Sequence, residues 1–249
     1  MEKTIKKVYI IGAGISGLIA ANILEKQGVN PIIIDASDRP GGRVKTDIVE
    51  DYQLDHGFQV LLSSYSAAQK HLDYKALELQ KLNAGAYIFL DKKQILFGDP
   101  TRDPKLLIST LFSKVGTFSD KLKIAKLNFK LKKKTIESIF EDTELTTLQY
   151  LKKLRFSNTI INNFFVPFFR GIFLENKLDT SSRMFEFVFK MFGSGYAVLP
   201  KKGIEEISKQ LKNNLQSTKF KFNTKVKAIN NKEILLYNNE RIICDYIIL

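Results

Sequence analysis

The chain has 249 residues, 44% of them apolar, which is enough for one complete domain and part of another around a substantial core. Its formal net charge of +13 comes with lysines dispersed along the chain and with no helix-turn-helix, zinc-finger or RNA-stacking motif, so nucleic-acid binding is not expected. A single cysteine, Cys244, and two histidines exclude an internal disulfide and offer no zinc cluster, which predicts a reducing, cytoplasmic location and no metal site.

The first predicted element is a short buried strand over Val8 to Ile11, which is apolar and β-branched. It runs directly into Gly12-Ala13-Gly14-Ile15-Ser16-Gly17, the spacing GxGxxG, and apolar residues then recur at helical spacing until Gly28. A second buried strand follows over Pro31 to Asp35. A strand, a glycine turn, a helix and a strand that ends in an acid together form a unit that binds a dinucleotide.

The residue types in this unit each suit that binding. The first glycine permits a tight turn, the second lets a pyrophosphate approach the backbone, and the third lets the helix pack on the strand. Unpaired amides at the start of the helix can bind phosphate. The acid can accept hydrogen bonds from ribose hydroxyls and would repel a 2′-phosphate, which disfavours NADP. The candidate cofactor-binding residues here are Gly12, Gly14, Ile15, Ser16, Gly17, Asp35 and Ala36.

A second glycine segment, Gly41-Gly42-Arg43, follows the acidic strand end closely. Paired glycines let a loop lie against an extended cofactor, and Arg43 offers a planar set of donors to phosphate or ribityl oxygens. By itself the glycine pair would be an ordinary turn, but its position after the acid favours a cofactor role.

These motifs resemble the flavin-containing amine oxidoreductase superfamily, which includes amine oxidases, protoporphyrinogen oxidases and phytoene-desaturase-like enzymes. Members usually carry Glu at the position of Asp35, and Asp can make the same bonds. The segment Leu54 to Phe58 resembles the one that runs beside the flavin, where Gly57 would allow close approach to the ring; a plain tight turn is the alternative. The resemblance implies flavin adenine dinucleotide (FAD) as the cofactor. Non-covalent binding is expected because the single cysteine, Cys244, falls in a predicted core strand.

Two later segments resemble desaturase-like members of the same superfamily: Phe164 to Phe173 and Gly195 to Gly203. The first is rich in aromatic residues. Such a run could line a large apolar substrate pocket, or it could simply be core.

A long middle region, residues 66–191, is predicted to be mostly helical, with short strands near Ala86 to Leu90 and Gln94 to Phe97. Its stretch Lys121 to Lys134 predicts a basic amphipathic helix with one apolar face. Such a helix could lie on anionic lipid, giving peripheral membrane contact, or it could be a solvated surface helix. The apolar face consists of Ile124, Leu127 and Leu131.

The C-terminal part predicts strands again. Lys219 to Ile229 alternates as strands do, and Asn238-Asn239 lies between two further apolar runs as a hairpin turn. In the resemblance this is the β-meander of the cofactor domain, where Val226 matches the position whose backbone meets adenine. Asp245 to Leu249 is predicted to begin a buried strand of the parallel sheet.

The predicted fold is therefore α/β: a Rossmann-like FAD-binding domain, with a parallel sheet and a β-meander, carrying an inserted and mostly helical substrate domain. The predicted division is residues 1–65 and 192–249 for the two parts of the FAD-binding domain and 66–191 for the substrate domain. Family members place a second flavin-binding motif after the last strand found here. The resemblance thus implies that the second part is incomplete and the chain truncated, and no catalytic residue is assigned.

The predicted function is an FAD-dependent oxidoreductase that transfers a hydride from a C–C or C–N bond of a small molecule to flavin N5. The substrate would be apolar and polyene-like, or an amine. Two alternatives remain open: a flavin-dependent sugar mutase, which isomerises its substrate, and a non-catalytic dinucleotide-binding protein. The sequence does not predict the oligomeric state.

Overall fold

The computed structural model describes residues 6–56, 60–90, 92–100 and 102–249. They form two compact units. The first comprises Met1–Val60, Ser66–Gln80 and Leu199–Leu249, and the second comprises Leu61–Tyr65 and Lys81–Val198. Residues 66–80 thus group with the first unit, and residues 61–65 and 192–198 with the second, unlike the division drawn from the sequence. The roles of the two units as cofactor and substrate domains stay a prediction.

Strands and helices alternate at the start of the chain, helices predominate in the middle, and strands return at the end. The strands are β1 (Val8–Ile11), β2 (Ile32–Ile34), β3 (Thr46–Val49), β4 (Tyr52–Asp55), β5 (Leu61–Leu62), β6 (Gln80–Lys81), β7 (Gly85–Leu90), β8 (Lys93–Gly98), β9 (Ala197–Leu199), β10 (Lys219–Lys221), β11 (Val226–Asn230), β12 (Glu233–Leu236), β13 (Arg241–Ile243) and β14 (Tyr246–Ile248). The helices are α1 (Ile15–Lys26), α2 (Ser66–His71), α3 (Leu106–Phe112), α4 (Phe118–Lys133), α5 (Ile136–Glu141), α6 (Thr147–Lys153), α7 (Asn158–Ile160), α8 (Val166–Phe173), α9 (Ser182–Ser194) and α10 (Glu206–Asn213), with a π-helical turn over Ile161–Phe165.

The first unit is built on a parallel sheet with the strand order β10-β2-β1-β14. Successive side chains of a strand point to opposite faces, and β1 shows both environments. Ile10 faces α1, since its side chain lies next to Gly17 of that helix. Tyr9 and Ile11 pack on the other face. The apolar run of β1 is therefore covered on both sides, as a central parallel strand requires.

An antiparallel meander, β11-β12-β13, covers the face that Tyr9 occupies. Its turn at Asn238-Asn239 places Asn239 in the left-handed region, with φ at 66°. Asparagine tolerates that conformation, which explains why the predicted hairpin forms there. Ile234, Leu236 and Cys244 are buried against the sheet. The predicted parallel sheet and β-meander are thus both present.

Strand β14 forms within the segment Asp245 to Leu249, as predicted, and pairs in parallel with β1. The prediction that it is buried is wrong for this structure: Tyr246 is exposed, and Ile247 and Ile248 are only partly buried. The reason is its place at the edge of the described sheet, where a single neighbouring strand covers it.

Helices and a phenylalanine-rich core make up most of the second unit, beside the antiparallel hairpin of β7 and β8. That hairpin matches the two strands predicted in the middle region. Phe165 and Phe169 are fully buried, and the ring of Phe185 lies 4.8 Å from that of Phe169. The aromatic run Phe164 to Phe173 thus supplies core packing, the simpler of its two interpretations.

Helix α4 confirms the helix predicted over Lys121 to Lys134, but its predicted apolar face is not available to lipid. Leu127 and Leu131 are buried in the core of the second unit, and Ile124 packs against it. The helix begins with a capping box in which Thr117 and Asp120 each satisfy the other's backbone amide. Within the described ranges, no helix combines the length and apolarity needed to cross a bilayer.

Candidate functional site

The glycine turn between β1 and α1 adopts a geometry that needs glycine at two positions. Gly12 has φ at 105°, which side chains disfavour, and its amide donates to the carbonyl oxygen of Ile34 at 2.8 Å. A Cβ at Gly17 would overlap the carbonyl oxygen of Gly12. The first glycine therefore makes the turn, and the third lets α1 lie directly against it.

The N-terminus of α1 is left open by the protein. Its N-cap residue, Gly14, provides no side-chain cap, and the first turn, with Ile15 and Ser16, contains no acid. Within the described residues, a Cβ added at Gly12 or Gly14 would meet no atom within 4 Å. Uncapped amides at a positive helix end, with free space above them, form a place where an anion can bind.

Asp35 lies beyond the end of β2 and is tied into the glycine turn. Its Oδ2 accepts a hydrogen bond from the amide of Ala13 at 2.6 Å. Its Oδ1 accepts from the amide of Ser37 at 2.7 Å and also from the Ser37 hydroxyl. Burial raises the pKa of Asp35, but the bonds from Ser37 and Ala13 outweigh burial and hold that pKa below its usual value.

This bonding leaves Asp35 charged and still able to accept. A carboxylate offers about four lone-pair positions, so the protein's own bonds do not exhaust it. Ala36, the next residue, is exposed. Ser37, which sequence reasoning did not single out, holds the carboxylate in place; its position two residues beyond the acid, where Asp and Ser commonly form local bonds, was the available signal.

The Gly41-Gly42-Arg43 loop crosses the first glycine turn. The amide of Gly41 donates to the carbonyl oxygen of Ala13 at 2.9 Å, and Gly41 forms a parallel bridge with Gly14. Gly41 and Gly42 have φ at 128° and 60°, and a Cβ at Gly42 would lie 3.4 Å from the Cα of Gly14. Arg43 is exposed beside them. The two glycine segments, distant in sequence, therefore form one continuous backbone surface.

Arg39 holds this loop in place and was missed at the sequence level. Its Nε donates to the buried Glu205 at 2.9 Å, and its other nitrogens pair with Asp38 and Asp47. His56 Nε2 lies 2.7 Å from the second oxygen of Asp47. The hydrogen bond that Arg39 donates to Asp47 raises the pKa of Arg39, so this guanidinium stays charged. Glu205 is far away in sequence, and no local pattern could have found it.

A second set of bonds anchors the β3–β4 hairpin to the start of α10. The Thr46 hydroxyl donates to Asp55 Oδ1 at 2.5 Å and accepts from the amide of Glu205 at 3.0 Å. Asp55 also accepts from the amide of Ile204 at 3.0 Å. The hairpin that leads towards Gly57 is thus fixed to the helix that binds Arg39. Gly57 itself lies outside the described residues.

Val226, the first residue of β11, follows a segment that is bonded to the acidic strand end. The amide of Thr224 donates to the carbonyl oxygen of Asp35 at 2.9 Å, and the amide of Asn223 donates to that of Ser37 at 2.9 Å. Val226 is partly buried against the meander core. The structure therefore brings the start of β11 close to Asp35, although the two are far apart in sequence.

These segments lie at the carboxyl ends of β1 and β2, which is where open parallel sheets bind ligands. An extended dinucleotide such as FAD fits this arrangement. The two glycine segments and the uncapped start of α1 can hold its phosphates, and Asp35 and the start of β11 lie close by. The structure brings together Gly12, Gly14, Ile15, Ser16, Gly17, Asp35, Ala36, Gly41, Gly42, Arg43 and Val226.

Comparison with known proteins is consistent with this geometry. The family model described as "Flavin containing amine oxidoreductase" matches residues 15–249. An L-amino-acid oxidase from Bothrops moojeni is 32% identical over 111 residues, which cover 41% of this chain and 21% of that protein. The chain thus spans about a fifth of the length of the curated L-amino-acid oxidases that it matches.

Solved structures share the fold at low sequence identity. Wild-type putrescine oxidase bound to putrescine has a TM-score of 0.65 at 19% identity, covering 98% of this chain and 57% of that chain. Reduced UDP-galactopyranose mutase has a TM-score of 0.59 at 18% identity, covering 97% of this chain and 54% of that chain. Since both an oxidase and a mutase are similar, these structures confirm the predicted α/β fold and nothing finer.

Proposed function

This chain belongs to the flavin-containing amine oxidoreductase family, and we propose that it acts as an FAD-dependent oxidoreductase that oxidises the C–N bond of an amine. The family match confirms the predicted cofactor, FAD. The observation that carries the proposal is the contact of the two glycine segments, Gly41 on Ala13 and Gly14, over the open end of α1. An extended cofactor needs both the glycine backbone surface and the start of α1, and no side-chain cap occupies that helix end.

The proposed roles of the site residues follow from their positions. The amides of Gly14, Ile15 and Ser16 bind the pyrophosphate, while Gly12 and Gly17 shape the turn that presents them. Asp35, with Ala36 next to it, accepts hydrogen bonds from the adenosine ribose. These proposed contacts hold the adenosine half of the cofactor.

The second half of the proposed site lies on the loop. Gly41 and Gly42 let the cofactor lie along the backbone, and Arg43 donates to its phosphate or ribityl oxygens. Val226 meets adenine through its backbone, and a contact of Gly57 with the flavin ring stays a prediction from the sequence. Arg39 is a positioning residue, because it fixes the loop through Glu205 and Asp47 without facing the open helix end.

When bound, FAD supplies the redox chemistry by accepting a hydride at N5. The described part of the chain contributes binding and orientation. Asp35 stays ionised because Ser37 and Ala13 hold its pKa low, so its acceptor capacity for ribose is constant across the neutral pH range. No residue described here is assigned a proton-transfer role.

An amine is proposed as the substrate in preference to a polyene for a structural reason. The aromatic run Phe164 to Phe173 was the feature that suggested a large apolar pocket. Phe165 and Phe169 of that run are fully buried in the core of the second unit. The similar L-amino-acid oxidase and putrescine oxidase have names that specify amines. Oxidation of a polyene C–C bond therefore becomes an outcome to be tested.

The first experiment identifies the cofactor. The purified protein is denatured, and the released nucleotide is analysed by mass spectrometry. FAD released without proteolysis is expected, because Cys244 is buried and donates to the carbonyl oxygen of Lys232, which leaves it unsuited to tether a flavin. Release of NAD, or a flavin that stays on the peptide, would contradict the proposed site.

The second experiment identifies the chemistry. The flavoprotein is mixed without oxygen with a panel of amino acids, mono- and diamines, a conjugated polyene and a UDP-sugar, and the visible flavin absorbance is followed. Stoichiometric bleaching by an amine, with an imine-derived product, is expected. Bleaching by the polyene alone would replace the amine with a C–C substrate. Turnover of the sugar at unchanged oxidation level would make the protein a mutase.

A further inference from the structure

Helix α4 carries a second apolar face that points into solvent. At 3.6 residues per turn, four of its apolar positions lie within about 60° of one another, opposite the buried Leu127 and Leu131. Three of them are 59%, 58% and 62% exposed, in chain order Phe118, Leu122 and Phe129. We name this face the outer stripe: Phe118, Leu122, Ala125 and Phe129.

The outer stripe is a row of exposed apolar side chains and not a single one. Single exposed apolar side chains are ordinary, whereas aligned large ones mark an interaction surface. Helix α3 ends beside it, because Lys121 Nζ donates to the carbonyl oxygens of Leu111 at 2.6 Å and Ser113 at 2.8 Å. On that helix Ile108 and Phe112 are also exposed.

The lysines of α4 and its C-cap divide into two groups by their contacts. Lys121, Lys123 and Lys134 donate to carbonyl or carboxylate oxygens of the second unit itself. The others are exposed: Lys126, Lys130, Lys132 and Lys133. The Nζ of Lys133 lies 4.2 Å from the centre of the Phe129 ring, at the edge of the outer stripe. Asp120, the acid of this helix, is fully buried.

We propose that the outer stripe of α4 lies on an anionic lipid surface. A single straight helix with a row of large apolar side chains and flanking lysines fits a flat interface that is apolar below and negatively charged above. Lysine stems can lie along the apolar layer while their ammonium groups reach the lipid phosphates. This face is distinct from the Ile124, Leu127 and Leu131 face that the sequence suggested, and the proposal does not depend on the cofactor.

The test is sedimentation of the purified full chain with vesicles of phosphatidylcholine alone or mixed with phosphatidylglycerol. Binding is expected to the mixed vesicles and to weaken with salt. Replacing Phe118, Leu122 and Phe129 together by Gln keeps good helix formers and is expected to reduce partitioning by about tenfold or more. Replacing all four exposed lysines of α4 by Gln is expected to reduce partitioning by up to about a thousandfold.

A matched control replaces three exposed apolar residues elsewhere, Leu174, Tyr237 and Ile243, by Gln. It is expected to bind as the parent does. Because every altered position is exposed, circular dichroism and melting temperature are expected to stay close to those of the parent. FAD content is measured for each variant, so a failure of the cofactor proposal is seen separately.

Three results would overturn the proposal. The parent protein could fail to sediment with anionic vesicles, or the outer-stripe variant could bind as well as the parent and the control. Light scattering could instead find a dimer that the outer-stripe variant converts to a monomer. That last result would assign the outer stripe to a second copy of this chain.

Discussion

Helices α1 and α4 begin in opposite ways. At the start of α4, Thr117 and Asp120 cap the first turn, and Asp120 also accepts from the amide and hydroxyl of Ser157 at 2.9 and 2.7 Å. At the start of α1, Gly14 provides no side-chain cap and the first turn has no acid. The protein therefore caps the N-terminus of α4 with its own side chains and leaves the N-terminus of α1 without a side-chain cap.

The contrast is not explained by a general lack of capping residues. The three helices that follow α4 are each capped by a hydroxyl, from Thr135, Thr146 and Ser157 in turn. Each such cap contributes about 1 kcal/mol. Helices α3 and α10 also begin without a side-chain cap, so an uncapped end by itself does not mark a ligand site. The start of α1 differs because it follows a glycine turn with free space at Gly12 and Gly14, and the proposed cofactor phosphates bind there. Substitutions in these two helices and beside them test the contrast.

The largest effect is expected at the helix-packing glycine of α1. In Gly17→Ala, the new methyl group would overlap the carbonyl oxygen of Gly12, so we expect a loss of at least about 3 kcal/mol of folding free energy, together with the loss of FAD. Gly14→Ala is the matched control, since its Cβ meets no described atom within 4 Å. It should change unfolding by less than about 0.5 kcal/mol and yet weaken FAD binding.

Urea unfolding and cofactor titration separate these two outcomes. If Gly14→Ala binds FAD as well as the parent does, the open end of α1 is not the phosphate site, and the contrast between the helices loses its functional meaning.

The next effect is at the closed end of α4. Asp120→Ala removes the acceptor for the amides and hydroxyls of Thr117 and Ser157, leaving these donors of a partly buried network without that partner. We expect a loss of about 2–3 kcal/mol in the free energy of unfolding, with FAD stoichiometry unchanged in the folded fraction. Chemical denaturation measures it, and a variant as stable as the parent would show that this cap does not hold the helix.

A smaller effect is expected for the acid beside the open end. Asp35→Asn keeps the shape but removes the charge that the amide of Ala13 binds and to which the ribose hydroxyls are proposed to donate. We expect FAD affinity to fall by about 2 kcal/mol, roughly thirtyfold. Ser37→Ala serves as the comparison, because it removes the hydroxyl bond to Asp35 and leaves the carboxylate. Equal FAD affinity in Asp35→Asn and the parent would remove Asp35 from the site.

The smallest effect concerns the other end of α1. Burial raises the pKa of Glu25, but the Thr218 hydroxyl and the amides of Gln216, Ser217 and Thr218 lower it to about 2. A lowered pKa in the folded state means that the stabilisation is complete above the ordinary value of 4.5 and is lost as pH falls towards 2.

Glu25→Gln should therefore cost about 1 kcal/mol at neutral pH and flatten the dependence of stability on pH in that acidic range. Thermal unfolding of both proteins across the range measures it. An unchanged pH profile would mean that Glu25 does not bind those amides in solution, and that α1 is anchored by the sheet alone.

Local patterns were sufficient wherever the physics is local. Gly12 and Asn239 adopt backbone conformations that favour their residue types, so the turn and the hairpin could be located from sequence. The spacing of Ile124, Leu127 and Leu131 predicted a helix with one apolar face. The same spacing did not predict that this face packs against protein. It also did not predict that Phe118 and Phe129 form an exposed apolar row on the opposite side of the helix.

Long-range partners were out of reach for the same kind of reason. The pairing of Arg39 with Glu205, and the bond from Thr224 to the carbonyl oxygen of Asp35, join residues that no periodicity relates. Residues 66–80 were placed with the helical region, whereas packing groups them with the first unit.

The sequence by itself determined the parts of this protein that follow from backbone conformation and residue spacing: the glycine turn, the acid after the second strand, the meander and the family. Only the tertiary structure decided which charges meet, which apolar faces are buried and which helix end stays open. Those outcomes depend on contacts between segments far apart in the chain, and their energies are set by distance and burial, which exist only after folding.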